Sequence, residues 1–326
     1  MNGYFSKKGI ILLAILAVIS LFLLQTMSTM ASEKVTEYIF ATGPMGGSFY
    51  PLGGIISQTW NKNLEDVNIT SIVTAAGLEN LRLLKDEEAA FAILPESISY
   101  FGYTGTGVCE GLGEKFDNFS VLAKAYPEPI QIVVKKDSGC KSIADLKGKR
   151  IAMGMKGGFQ HIFGLQIFNL AGLPKEDFSP SYIGYTAAAD QFVDNMIDCI
   201  FGYTGLPNST FIQLSVNPKI KLIPLDEVTI EKLKKEIPFA TKMVIPANAY
   251  SSLDSETQTV SVWALILVRN DISEELVYRL TKVLFENASE MGEVNVQAKW
   301  IDLDYQKDLS LPIHPGAKKY YEEKTK

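Results

Sequence analysis

Histidine is nearly missing from this 326-residue chain: there are two, His161 and His314, too far apart for the short ligand spacings of a zinc site. Cysteine is almost as scarce. Cys109, Cys140 and Cys199 allow at most one bridge and leave one thiol over, so no disulfide framework holds this chain together. They suit small buried positions better than nucleophilic ones. Positive charge is outweighed, with 31 basic and 37 acidic side chains and a net charge of −6, which makes the chain a poor candidate for binding nucleic acid or anionic membrane. No GxSxG, GxGxxG or GxxxxGK[ST] occurs, and carboxylate pairs such as Glu87–Glu88 fall in a turn. With 47% hydrophobic residues, the core comes from packing.

One long apolar run is present, Ile10 to Leu24, shorter than the roughly 20 residues that span a bilayer. Lys7 and Lys8 precede it, a polar stretch follows, and Thr29-Met30-Ala31 places small residues where a signal peptidase reads. Residues 1–31 are therefore expected to be a signal peptide, with the mature chain beginning near Ser32 in the periplasm or another extracytoplasmic space. A retained anchor is the alternative. No cysteine stands near the cleavage point to carry a lipid. The rest of the chain holds 29 basic and 37 acidic side chains, net −8.

Beyond the leader, β-rich runs alternate with helical patterns. Residues 38–42, 68–74, 89–94 and 119–126 read as strands. Between them, Leu52, Ile55, Ile56 and Trp60 have helical spacing after Pro51, and Asn80–Lys85 forms a second short helix. A second cycle follows: strands at 129–136 and 150–154, a short helix in "SIADLKGK", a helix at His161–Ala171, a strand at 181–185, a helix at Ala187–Ile197 and a strand at 199–203. Strand–helix–strand alternation argues for parallel sheets with helices on their faces. "YPEP" (126–129) reads as a crossing between two lobes, and Thr259–Val268 as a long strand that carries the chain back. The helical remainder from Ser273 packs on the first lobe.

The two cycles share motifs. Gly43-x-x-Gly46-Gly47 recurs as Gly154-x-x-Gly157-Gly158, and Thr74-Ala75-Ala76 recurs as Thr186-Ala187-Ala188, each after a strand, so the chain reads as a structural pseudo-repeat. In open parallel sheets ligands sit beyond the carboxyl ends of the strands, at helix N-termini. Two such lobes face each other across a cleft. Gly46 and Gly47 allow close backbone approach to a ligand. Ser48 caps the next helix, whose positive end favours a carboxylate, and Tyr50 adds a hydroxyl or an aromatic wall. Lys156 and Gln160 flank the second turn at Gly157-Gly158, where a lysine facing the cleft would pair with an anion. Tyr103, Tyr185 and Tyr203 stand at strand ends, lining the cleft or filling the rim of the core.

The stretches "TGPMGGSFYPLGGIISQTW", "TAAGLENLRLL", "KDSGCKSIADLKGKRIAMG", "IDCIFGYTGLPNS" and "LPIHPGAKKYYEE" resemble the TAXI-type extracytoplasmic solute receptors of TRAP transporters, from about Tyr38 to the C-terminus. The resemblance implies a two-lobed, type II periplasmic-binding-protein fold of the α/β class, each lobe a mostly parallel sheet flanked by helices. Lobe I would comprise 36–127 with 260–326, and lobe II 128–259. It implies capture of a small solute with a carboxylate, an amino acid or dicarboxylate, and delivery to TRAP membrane permease subunits driven by an ion gradient, with no catalysis and no cofactor. Thr42, Gly46, Gly47, Ser48 and Tyr50 match its first ligand loop. Thr74, Glu79 and Asn80 match its second motif, and Gly205, Pro207 and Asn208 match the turn in the other lobe. Gly77 stands where the family shows a serine, and Gly158-Phe159-Gln160 where it shows Ser-Gly-Thr. Both departures remove hydroxyls and favour a monoanionic or more apolar acid over glutamate. Two other classes remain open: an enzyme on a two-lobed α/β scaffold, and a periplasmic sensor for a signalling partner.

Overall fold

In the computed structural model, which describes residues 35–113 and 115–325, two runs of strand and helix are built alike. The first comprises β1 (Thr36–Ala41), α1 (Phe49–Asn63), β2 (Val67–Ile72), α2 (Leu78–Lys85), β3 (Phe91–Pro95) and α3 (Glu96–Thr104). The long strand β4 (Phe119–Lys135) leads into the second: β5 (Arg150–Ala152), α4 (Phe159–Leu170), β6 (Ser179–Ser181), α5 (Tyr185–Val193), β7 (Cys199–Tyr203), α6 (Ser209–Val216), β8 (Ile220–Ile223), α7 (Glu227–Glu236) and β9 (Thr241–Ile245). The strand β10 (Thr257–Arg269) returns, followed by α8 (Glu274–Glu286), α9 (Ala288–Val294) and α10 (Pro315–Lys324). The expected signal peptide at 1–31 lies outside the described residues, and no described helix is long and apolar enough to cross a membrane.

The strand order is β2-β1-β3-β10-β4-β7-β5-β6, so β1, β2 and β3 recur as β5, β6 and β7 on the far side of a central pair. Parallel ladders join β1 to β3, and β5 to both β6 and β7. The central strands run antiparallel: β10 pairs with β3 and β4, and β4 with β7. β3 and β7, read as apolar runs, are buried along their whole length, as strands covered on both faces must be. In α1, Leu52, Ile56 and Trp60 recur every four residues and are all buried. The Trp60 indole donates to Leu280 O at 2.9 Å, docking α8 on the first half as the C-terminal segment was expected to do.

"YPEP" is not a loop between two strands. β4 runs through it for 17 residues, with Pro127 opposite Trp263 and Pro129 opposite Ser261. A proline removes a donor and holds an extended φ, and a register shift at Ala264/Leu265 lets the ladder pass. The expected lobe boundaries, 127/128 and 259/260, thus fall inside two paired strands. Residues from Glu37 onward form one compact unit, and one hydrophobic cluster is continuous through both halves. Phe101 of α3, for example, stacks on Phe163 of α4 with ring centroids 6.1 Å apart. The strand expected at 181–185 ends at Ser181, because Gly184 caps α5 and Tyr185 opens it.

Candidate functional site

The first glycine motif recurs in space as in sequence. Gly46 and Gly157 each follow a central parallel strand and hold φ of +80° and +81°, a conformation that glycine adopts without strain. The Thr-Ala-Ala match is looser: Thr74–Ala76 is a loop before α2, whereas Thr186–Ala188 lies inside α5.

Four helices begin around one cavity. Gly47, Ser48 and Phe49 bring the start of α1, Ala75 and Ala76 the approach to α2, Gly158, Phe159 and Gln160 the start of α4, and Tyr185 the start of α5. Pro44, Met155, Glu128, Tyr203 and Thr204 complete the wall. None of these four helices has a side chain capping its N-terminus. Elsewhere, α6, α7, α8 and α10 are capped by Asn208, Asp226, Ser273 and His314, and α3 and α9 are uncapped. Ser48, expected as a cap, bonds instead to Thr204 Oγ1 at 2.8 Å. Uncapped first turns leave N–H groups available to an anion at α1, α4 and α5, whereas before α2 Glu79 Oε2 accepts from Ala75 N at 2.6 Å and Thr74 Oγ1 from Ala76 N at 3.0 Å. The space is about 30 Å³, room for two or three waters at ~10–15 Å³ each.

The floor of the cavity is acidic. Glu128 is 1% exposed, and its Oε2 has no hydrogen-bond partner, like the hydroxyls of Tyr126 and Tyr203. Burial holds its carboxyl well above the ordinary carboxylate range. The Tyr126 hydroxyl is close enough to Glu128 and Ser48 to couple to both without hydrogen-bond geometry to either. Phe159 closes one side, its ring 4.7 Å from that of Tyr203. Gln160 donates from Nε2 to Phe201 O.

The other residues expected at the site are placed differently. Thr42, Thr74 and Asn80 form a buried brace: Thr74 Oγ1 donates to Thr42 O at 3.1 Å, and Asn80 Nδ2 to the same oxygen at 2.8 Å. Lys156 and Gly157 are exposed and outside the cavity wall, and His161 Nδ1 accepts from Gly157 N at 3.0 Å. Tyr50 lines a separate groove with Asn61 and Val294. Pro207 O accepts from Gln297 Nε2 at 2.9 Å, and Gly205 packs beside that glutamine, Tyr126 and Ser48.

Gly46 does make a close approach, to the second half of the chain. Its carbonyl accepts from Asn208 Nδ2 at 2.9 Å and Thr210 Oγ1 at 3.2 Å. A β-carbon there would lie 2.9 to 3.0 Å from Thr210, Thr186 and Tyr185. Glu128 escaped sequence reasoning because it sits between two prolines in a stretch that reads as a connector.

A family model described as the NMT1-like family matches residues 40–324. A solved periplasmic transporter is similar over 90% of this chain and 93% of its own, at 16% identity and a TM-score of 0.54. A binding protein component of an ABC phosphonate transporter from Pseudomonas aeruginosa is similar over 82% and 80%, at 10% identity and a TM-score of 0.53. These likenesses show the fold, an α/β architecture of helices on a mixed sheet. The match across 40–324 shows the family, and the chain belongs to the NMT1-like family.

Proposed function

We propose that the protein is an extracytoplasmic solute receptor that closes its two halves on a small carboxylate-bearing solute and hands it to a membrane transporter. The observation that carries this reading is the meeting of three helix N-termini, those of α1, α4 and α5, all without side-chain caps, at one cavity. Backbone N–H groups from both halves then bind the carboxylate, the role that sequence reasoning gave to Lys156. A cavity of about 30 Å³ cannot admit such a solute, so the halves part first, bending at β4 and β10, and close over it. Lobe I is 36–127 with 260–326, and lobe II 128–259. Export through the leader at 1–31 fits this role.

The transporter is a TRAP permease of the TAXI type on the sequence resemblance. An ABC transporter is the second reading, favoured by the structural neighbour that serves one. Uptake by cells carrying the receptor and its permease separates the two: a collapsed ion gradient stops TRAP transport, whereas ATP depletion at constant gradient stops ABC transport.

The receptor reading itself is tested by thermal shift on chain beginning at Ser32, screened against small carboxylic acids and amino acids. A solute at a hundredfold excess over Kd stabilises the folded form by about 2.7 kcal/mol, or roughly 5–10 °C in Tm. No shift with any of them overturns the reading, and turnover of a bound compound replaces it with an enzyme.

A further inference from the structure

We propose that Glu128 receives an amino group of the solute, so that the ligand is a zwitterion with an ammonium beside its carboxylate rather than a simple carboxylic acid. This rests on the receptor reading and names the chemistry of the same cavity.

Among the described residues of the wall, Glu128 is the one charged side chain. It lies on β4, central in the sheet, and is 1% exposed. Its Oε2 has no partner, and neither has the Tyr203 hydroxyl in the same wall. Buried polar atoms left unmatched are costly, and a ligand group arriving to bond them would remove that cost. The groups that face Glu128 are the hydroxyls of Tyr126 on its own strand, Tyr185 at the start of α5 and Tyr203 at the end of β7. Among the described residues, no cation is found beside it.

The cavity therefore has two poles. Helix N-termini attract negative charge, and Glu128 on the floor attracts a donor or a cation. A second carboxylate placed at Glu128 would set two acids together out of water, which is unfavourable unless one stays protonated. An ammonium there is matched by an ionised Glu128 and by the Tyr203 hydroxyl oxygen. Without a solute, Glu128 keeps its proton, raised by burial. It releases that proton to water as the ammonium enters, which leaves an ionised carboxylate to face the cation.

The test compares acids that differ only at the amino carbon: alanine with pyruvate, leucine with 4-methyl-2-oxopentanoate, and glutamate with 2-oxoglutarate. Each is titrated calorimetrically into wild type and into Glu128→Gln, with melting of the ligand-free proteins as the folding control. For whichever pair binds, the amino acid is expected to exceed its keto partner by about a hundredfold, as a site built around a donor rejects the analogue that lacks it. Glu128→Gln should remove most of that preference. Equal or tighter binding of the keto acid by wild type overturns the inference while leaving the receptor standing. An unchanged preference in a folded Glu128→Gln also overturns it. If no acid of either kind binds, the receptor reading falls and this one with it. The wild-type comparison decides the matter even if the variant does not fold.

Discussion

Gly77 and Phe159, the two departures noted in sequence, turn out to be neighbours. Gly77 holds φ +62°, and a β-carbon there would lie 2.7 Å from Phe159 N. A serine at 77 would meet the start of α4, so the glycine lets the two helix N-termini close together with Phe159 between them and Tyr203. Glu128 carries a consequence for stability. Burial raises its folded-state pKa above the ordinary 4.5, so the folded chain keeps a proton that the unfolded chain releases. Its contribution is fully present below about pH 4.5 and is lost as pH rises through the raised folded value. The slope is at most about 1.4 kcal/mol per pH unit for one proton. Urea unfolding of the ligand-free protein should therefore show Glu128→Gln gaining on wild type from about pH 4.5 upward, then levelling off. A difference that stays constant with pH would mean Glu128 is not held neutral. Sequence reasoning missed this residue because burial and an unmatched oxygen arise from what β10 and α5 pack around it. A Pro-Glu-Pro string shows neither.

At the level of elements, regular patterns were legible and interruptions were not. The strands expected at 38–42, 68–74, 89–94 and 199–203 stand within a few residues of β1, β2, β3 and β7, because apolar β-rich runs bounded by turns decide them locally. The doubled Gly-rich turn was legible for the same reason: a positive φ is demanded by the turn itself, and Gly46 and Gly157 share it. The continuity of β4 through two prolines was not, since it depends on the register shift against β10. Nor could the partner of the Gly46 loop be read: the carbonyl engages the start of α6, more than 160 residues away. That contact ties the halves together and can be cut selectively. Thr210→Val keeps the shape and removes the bond to Gly46 O, for an expected loss of about 0.5–1.5 kcal/mol. Asn208→Ala should cost more, because Asn208 also caps α6 through Phe211 N and reaches Thr204 Oγ1. Melting of the two variants checks this order. Equal stability of Thr210→Val and wild type would leave the loop contact without a role in holding the halves together.

For the whole molecule, the small volume of the cavity makes motion a condition of the proposed binding. The space of about 30 Å³ is smaller than an organic acid, and the contacts beside it join residues far apart in sequence: Ser48 to Thr204, Gly46 to Asn208 and Thr210, and Gln297 to Pro207. The continuous strands β4 and β10 leave the chain connected when those contacts open, so the halves can separate without unravelling the sheet. Locking one contact should therefore abolish solute entry. Ser48 Oγ and Thr204 Oγ1 are 2.8 Å apart, within the reach of a disulfide between cysteines at those positions. Cys109, Cys140 and Cys199 are buried and unbonded, so mild oxidation should act on the introduced pair. In the double variant Ser48→Cys/Thr204→Cys, the reduced protein should bind solute and the oxidised protein should not, with binding restored by dithiothreitol. Undiminished and rapid binding by the fully oxidised form would show that the solute enters without the halves parting, and would locate its site away from this cavity.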